Sequence, residues 1–246
     1  MLDKLVREVN SLNTTWTAQN YNISQATLES IASFNLNQVQ WNEIKQAQNI
    51  KHTNSKMPIP VEFDPRKEWP KCIYLNEIRG EKECWPYPVC PTIGAMSDRI
   101  CIISGQILIK KLSIIDVLQC CQLCNNSFPL NDLYFFKSTG ICTESCKPIS
   151  IVEHFINPSK CVNCSNSTYE IPYEKDKWFG LSPYAIGGVD NIQTELMTKG
   201  PAITSFTIYE DFLTYKSGVY QHQTGRYLGG HSVKILGWGV EKNVPY

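Results

Sequence analysis

Two stretches carry side chains able to do covalent chemistry. The first, Glu77 to Cys101, reads EIRGEKECWPYPVCPTIGAMSDRIC and gathers Glu81, Cys84, Tyr87 and Cys90. The second, Gly229-Gly230-His231, sets an imidazole directly before the apolar run Ser232 to Leu236. A thiol beside an imidazole is a nucleophilic pair. The imidazolium lowers the thiol's pKa, and the thiolate attacks a carbonyl to form a covalent intermediate. A phenol is a poor substitute, because its pKa of about 10 leaves little phenolate near neutrality. The question for this sequence is which of its groups stands where the nucleophile is needed.

The elements that must position these groups are legible from periodicity. Ile93, Met96 and Ile100 recur at helical spacing behind the first stretch. Pro86, Pro88 and Pro91 crowd its start. A helix beginning at Pro88 would lose its first backbone bond at Pro91, which has no N–H, whereas proline is tolerated at a first helical position. The helix is therefore expected to start at about Pro91. Ser113 followed by Ile114, Val117 and Leu118 reads as an N-capped short helix ending at Cys120-Cys121. Ile192 to Lys199 reads as a helix stopped by Gly200-Pro201. Strands are expected at Tyr184–Ile186, Ala202–Ile208, Gly218–Tyr220 and Ser232–Leu236, the last closed by Gly237-Trp238-Gly239. At the other end, Leu5, Val6, Val9 and Leu12, then Leu28 and Ile31, predict two helical pieces around a turn within residues 3–34. Residues 37–56 are polar and suit a linker open to proteases. Residues 140–168 are cysteine-rich and irregular.

Bulk composition excludes several classes. The 246 residues carry 23 basic and 23 acidic side chains, which argues against a nucleic-acid binder held by a net field. No run approaches about 18 consecutive apolar residues, so no membrane span is expected. Eleven cysteines point to an oxidising compartment. Sequons at Asn13, Asn22, Asn125 and Asn166, with Asn163 as a fifth, agree with a secreted glycoprotein. Met1 is followed by Leu-Asp-Lys and not by an apolar signal core, so either a secretion signal is missing from this sequence or the protein stays inside the cell, and the cysteine usage favours the first.

The residues around both reactive stretches resemble the papain family of cysteine proteases, and within it the cathepsin B type. Glu77-Ile78-Arg79 and Ser97-Asp98-Arg99-Ile100-Cys101 flank the family's nucleophile turn without a gap. Asp211 to Tyr220 and Gly229 to Gly239 resemble its second half, with His231 as the catalytic imidazole. Leu5-Val6-Arg7-Glu8-Val9-Asn10 with Asn13 to Trp16 resembles the short cathepsin B propeptide, and Met57 to Arg66 resembles the mature start. The resemblance implies an α+β papain-like fold of two lobes, a helical first lobe and a β-rich second lobe. It implies a propeptide and linker at 1–56, a peptidase domain at 57–246, and a boundary near Lys56. The family's next segment, Asn-Ser-Trp, carries the Asn that orients the His. The chain stops at Pro245-Tyr246 before it, so the second lobe is expected to be C-terminally truncated, with open sheet edges.

Carried over residue by residue, the resemblance implies a degraded site. Tyr87 stands at the nucleophile position and Glu81 at the position of the oxyanion-hole Gln. An ionised carboxylate only accepts hydrogen bonds and repels a developing oxyanion. Asn126 and Ser127 replace glycines that let a substrate backbone approach, and His154 alone remains of a His pair that holds a substrate's terminal carboxylate. The implied disulfides are Cys72–Cys101, Cys84–Cys124, Cys120–Cys161 and Cys146–Cys164, with Cys90, Cys121 and Cys142 left over. The family's chemistry calls for no cofactor and no metal. The expectation is an inactive, secreted or lysosomal homologue that binds peptides, cystatin-type inhibitors or its own propeptide in the cleft. The alternative is an active lysosomal or secreted cysteine endopeptidase with a displaced nucleophile, for which Cys90 is the candidate.

Overall fold

The computed structural model describes residues 2–23, 42, 49–50, 57–78, 89–124, 129–149 and 161–246. The second helical piece expected around Leu28 and Ile31 and the boundary at Lys56 lie outside the described residues.

The chain opens with helix α1, Leu2–Ser11, whose buried positions Leu2, Leu5 and Val9 follow the expected helical spacing. Strand β1, Trp16–Ala18, comes next, and then β2, Asn49–Ile50. Helix α2 is a single turn, Pro65–Glu68, capped by the Asp64 side chain, which accepts from the Arg66 N–H.

Helix α3, Val89–Ile103, is the axis of the helical half. It starts two residues before the expected Pro91. Pro91 then falls in the first turn, where the N–H groups have no intrahelical partner and a missing one costs nothing. The helix is buried on most of its circumference, including Val89, Cys90, Ile93, Met96 and Cys101. Ile93 and Met96 pack with helix α4, Ile114–Cys120, and helix α5, Pro129–Ser138, through Val117, Leu118, Phe135 and Phe136. The Ser113 hydroxyl caps α4 by accepting from the Asp116 N–H, as its sequence predicts. Helix α5 carries no expectation from the sequence pattern. Between Thr139 and Pro172 the described residues hold no helix or strand, in keeping with an irregular segment. Instead they are braced by isolated bridges, Leu112 to Thr143 and Ile141 to Trp178.

The second half begins with β3, Ala185–Ile186, which pairs in parallel with β2. Helix α6, Val189–Lys199, starts three residues earlier than expected and ends at Gly200 as expected. Strand β4, Ala202–Tyr209, then a 3-10 turn at Glu210–Thr214, lead into β5, Tyr215–Gly218. Strand β5 lies ahead of the expected Gly218–Tyr220 because its partner is β1, which pairs antiparallel along Tyr215 to Gly218. Strand β6, Tyr227–Ile235, runs antiparallel to β4, and among the described residues that sheet has these two strands. A small hairpin of β7, Val240–Glu241, and β8, Val244–Pro245, closes the chain.

Several ties among the described residues join the halves, Arg99 of α3 to Glu195 of α6 at 2.9 Å among them. Asp98 of α3, with a fully buried side chain, receives the Lys234 ammonium from β6 at 2.6 Å. Trp238 pairs its backbone with Phe63 and stacks on the Phe63 ring at 5.0 Å. A Cβ on Gly237 would fall 2.0 Å from the Phe63 carbonyl oxygen, so this crossing admits only glycine.

Candidate active site

His231 sits in the middle of β6, half-buried and in register with Phe206 of β4. Strand alternation places both on one face of the pair. The imidazole meets the Phe206 ring edge-on, with centroids 6.1 Å apart. Phe206 meets Phe212 edge-on at 5.0 Å, Phe212 meets Tyr220 edge-on at 5.0 Å, and Tyr220 meets Trp16 at 5.1 Å. An unbroken file of aromatic rings therefore runs from the imidazole to the N-terminal segment. Such edge-to-face pairs each add about 0.5–1.5 kcal/mol beyond burial and fix ring orientation. Sequence reasoning missed this file, because its rings come from different elements and meet only once the chain has turned back on itself.

The N-terminal segment is docked at the far end of the file. Trp16 is buried with Val9 and Ala18 against Tyr220. Its indole N–H donates to the Gln221 carbonyl at 2.9 Å, and the Thr15 hydroxyl donates to the Val219 carbonyl. The Thr224 hydroxyl bonds to Glu8 of α1. Gly218, at φ 99°, lets the two backbones meet, because a Cβ there would lie 2.4 Å from the Thr15 carbonyl oxygen.

Asp211 organises this platform. Its carboxylate, fully buried, accepts from the Gln223 N–H at 2.7 Å, the Thr224 N–H at 3.1 Å and the Tyr220 hydroxyl at 2.7 Å, and pairs with His222 at 3.1 Å. Burial alone would raise its pKa, but these hydrogen bonds outweigh burial and hold it below the usual carboxylate value. The His222 ring also stacks on Tyr209 at 3.6 Å.

Tyr87, Glu81, Cys84, Asn126, Ser127 and His154 lie outside the described residues. Cys90 is described at the start of α3 and is disulfide-bonded. Cys72–Cys101, Cys120–Cys161 and Cys146–Cys164 are joined as the resemblance implies. The implied Cys84–Cys124 bond is not made. Cys124 is joined instead to Cys121, just past the end of α4, where the following turn brings their Cα atoms to 5.3 Å, well inside bridging range. Among the described residues Cys142 is the free thiol, and it is buried.

Residues 59–246 match the papain family cysteine protease domain. The chain belongs to the papain family of cysteine proteases. It is 38% identical to cathepsin B-like cysteine proteinase 4 of Caenorhabditis elegans, over 80% of this chain and 67% of that protein. It is 35% identical to cathepsin B-like cysteine proteinase 5 of the same organism, over 98% of this chain and 78% of that protein. Among solved structures it resembles procathepsin B S9 from Trypanosoma congolense at a TM-score of 0.85 and 28% identity, over 100% of this chain and 86% of that one. Procathepsin L2 from Tenebrio molitor, at 17% identity and a TM-score of 0.69, shares the fold. The papain-like α+β architecture and the cathepsin B-like relationship are thereby established. No helix among the described residues is long and apolar enough to cross a membrane.

Proposed function

We propose that this chain is a cathepsin B-like peptidase homologue that binds but does not turn over peptide. The observation that carries the reading is the disposition of its thiols. The resemblance of the flanking residues implies Tyr87 at the nucleophile position, the nearby Cys90 is tied in a disulfide, and the free Cys142 is buried elsewhere in the helical half. Glu81 at the oxyanion position deepens the loss, since removing a single such donor costs about 10²–10³ in rate. His231 keeps its place on β6 without being a catalytic base in this reading. Peptides and cystatin-type inhibitors are the ligands suited to a papain-like cleft. The docked N-terminal residues 2–23 support a propeptide that extends to about Lys56. The disulfides support an extracellular or lysosomal setting.

The relatives are named as proteinases, which keeps an active reading in play, and one experiment separates the two. The full chain is treated with a thiol-directed peptidyl epoxide and assayed against a fluorogenic peptide library. The expected result is no covalent adduct and no hydrolysis above buffer. An adduct on Cys90, with turnover lost in Cys90→Ala, would overturn the binding reading.

A further inference from the structure

The cysteine-rich segment places a free thiol beside a disulfide. Cys142 and Cys146 are both fully buried, and the Cys142 sulfur, the Cys146 sulfur and an Asp176 carboxylate oxygen all lie within 4.8 Å of one another. Cys146 is bonded to Cys164, which is only partly buried and belongs to a segment with an exposed surface. The backbone around Cys142 is fixed on both sides: its N–H donates to Asp116 at 3.0 Å, and its carbonyl accepts from the Ser113 N–H at 2.9 Å. The free thiol is therefore held beside the inner sulfur of a disulfide whose outer sulfur faces the surface.

We propose that Cys142, Cys146 and Cys164 form a thiol–disulfide exchange centre, in which the buried thiol displaces Cys164 and presents it for modification by a small-molecule disulfide. The Cys142 thiolate attacks the Cys146 sulfur, a Cys142–Cys146 bond forms, and the Cys146–Cys164 bond breaks with its electron pair leaving on Cys164. The proton lost by Cys142 is regained at Cys164, so the oxidation state of the protein does not change. In a second step the Cys164 thiolate attacks a low-molecular-weight disulfide, forming a mixed disulfide at Cys164 and releasing one small thiol. Residues 161–164 then remain tied to the helical half by Cys120–Cys161.

The surroundings make the first step slow and pH-dependent. Burial pushes the Cys142 thiol up, and the carboxylates of Asp116 and Asp176 push in the same direction. The Lys147 ammonium opposes them; it is fully buried, 2.7 Å from Asp116 and 3.3 Å from the Cys120 sulfur. Only the thiolate attacks, so below the thiol's pKa the rate should climb about tenfold per pH unit.

The test uses the full chain, purified without added thiol. It is held between about pH 6 and 8, quenched at intervals with N-ethylmaleimide, and mapped by mass spectrometry. The expected result is maleimide accumulating on Cys164 together with a peptide containing an internal Cys142–Cys146 disulfide. With oxidised glutathione present, a glutathione adduct should appear at Cys164. Cys142→Ser should lower both kinds of Cys164 labelling at least about tenfold. Maleimide confined to Cys142, or undiminished labelling of Cys164 in Cys142→Ser, overturns the proposal. Should that variant fail to fold, the internally bridged peptide in the unaltered chain decides alone, and its absence overturns the proposal.

Discussion

Each half of the molecule buries an aspartate against its main helix or sheet, and the two are treated in opposite ways. In the helical half, Asp132 of α5 is buried, and that burial pushes its pKa up to about 8. In the strand half, Asp211 is equally inaccessible, yet two backbone N–H groups, a tyrosine hydroxyl and His222 hold its pKa down. Burial is common to both; the difference is the number of donors aimed at the carboxylate. The helical half thus contains an acid that prefers to stay neutral, and the strand half contains one that must stay charged.

The two leave opposite marks on stability. An unfolded aspartate titrates at about pH 3.9. Asp132 keeps its proton in the folded chain up to about pH 8, so its contribution is intact below about pH 4 and is lost as pH rises from there through 8. Asp211 is lowered, so its contribution is present above the unfolded value and is lost as pH falls through the folded one. Together they favour a fold most stable on the acid side of neutrality, which fits the proposed lysosomal setting.

The largest expected effect is at the charged site. Asp211→Ala strands the Gln223 and Thr224 N–H groups and the Tyr220 hydroxyl, at a cost of about 3–5 kcal/mol in urea unfolding at neutral pH. It should also release residues 2–23, read as new tryptic cleavage at Lys4 and Arg7. Unchanged protection there would separate the platform from the docked segment. At the neutral site the substitution should run the other way. Asp132→Asn removes the ionisation and should stabilise the fold by on the order of 3 kcal/mol above pH 8, with little change near pH 4. A pH slope that survives in Asp132→Asn would show that another group carries it.

The difference between the halves also marks what the sequence can disclose. The α4 helix was readable to the residue because its cap and its apolar spacing are local: Ser113, then Ile114, Val117 and Leu118. The strand that carries His231 was expected only from Ser232 to Leu236; it runs from Tyr227 to Ile235, because pairing with β4 extends it back through the glycines. Asp211 lay in plain view within a stretch close to cathepsin B, but its donors come from Tyr220 to Thr224 and exist only once the chain has turned back. Strand β5 was placed too late in the chain because a strand's limits are set by its partner, here an N-terminal segment about two hundred residues away. The Cys121–Cys124 bond was missed because family pairing gave Cys124 a distant partner, while proximity after α4 gave it a near one.

The aromatic file tests whether the halves of the platform act together. Trp16→Ala removes the ring at the end of the file and the indole bond to Gln221. Removing a buried tryptophan costs about 3–5 kcal/mol when the whole fold must bear it. Here the docked segment can detach first, so the global loss should stay at about 1–2 kcal/mol while proteolysis within residues 2–23 rises steeply. If the rings transmit the change, the His231 imidazole resonances should shift, whereas those of His222, stacked on Tyr209 and held by Asp211, should move less.

The smallest effect compares how the two halves start their helices. Helix α4 is capped by Ser113, whose hydroxyl accepts from the Asp116 N–H and donates to the Lys147 carbonyl at 2.7 Å. Helix α6 has Gly188 at its N-cap, which has no side chain to cap with and a φ of 88° that disfavours any. Ser113→Ala should therefore cost about 1–2 kcal/mol, near the top of the range for a lost cap, because a buried N–H and a buried carbonyl lose their partner together. Ser113→Thr keeps the hydroxyl and should recover most of that loss by thermal melting. Equal losses for Ala and Thr would mean that the pocket around Ser113 responds to volume and not to the hydrogen bonds, and the cap would then contribute little to holding α4 against α3.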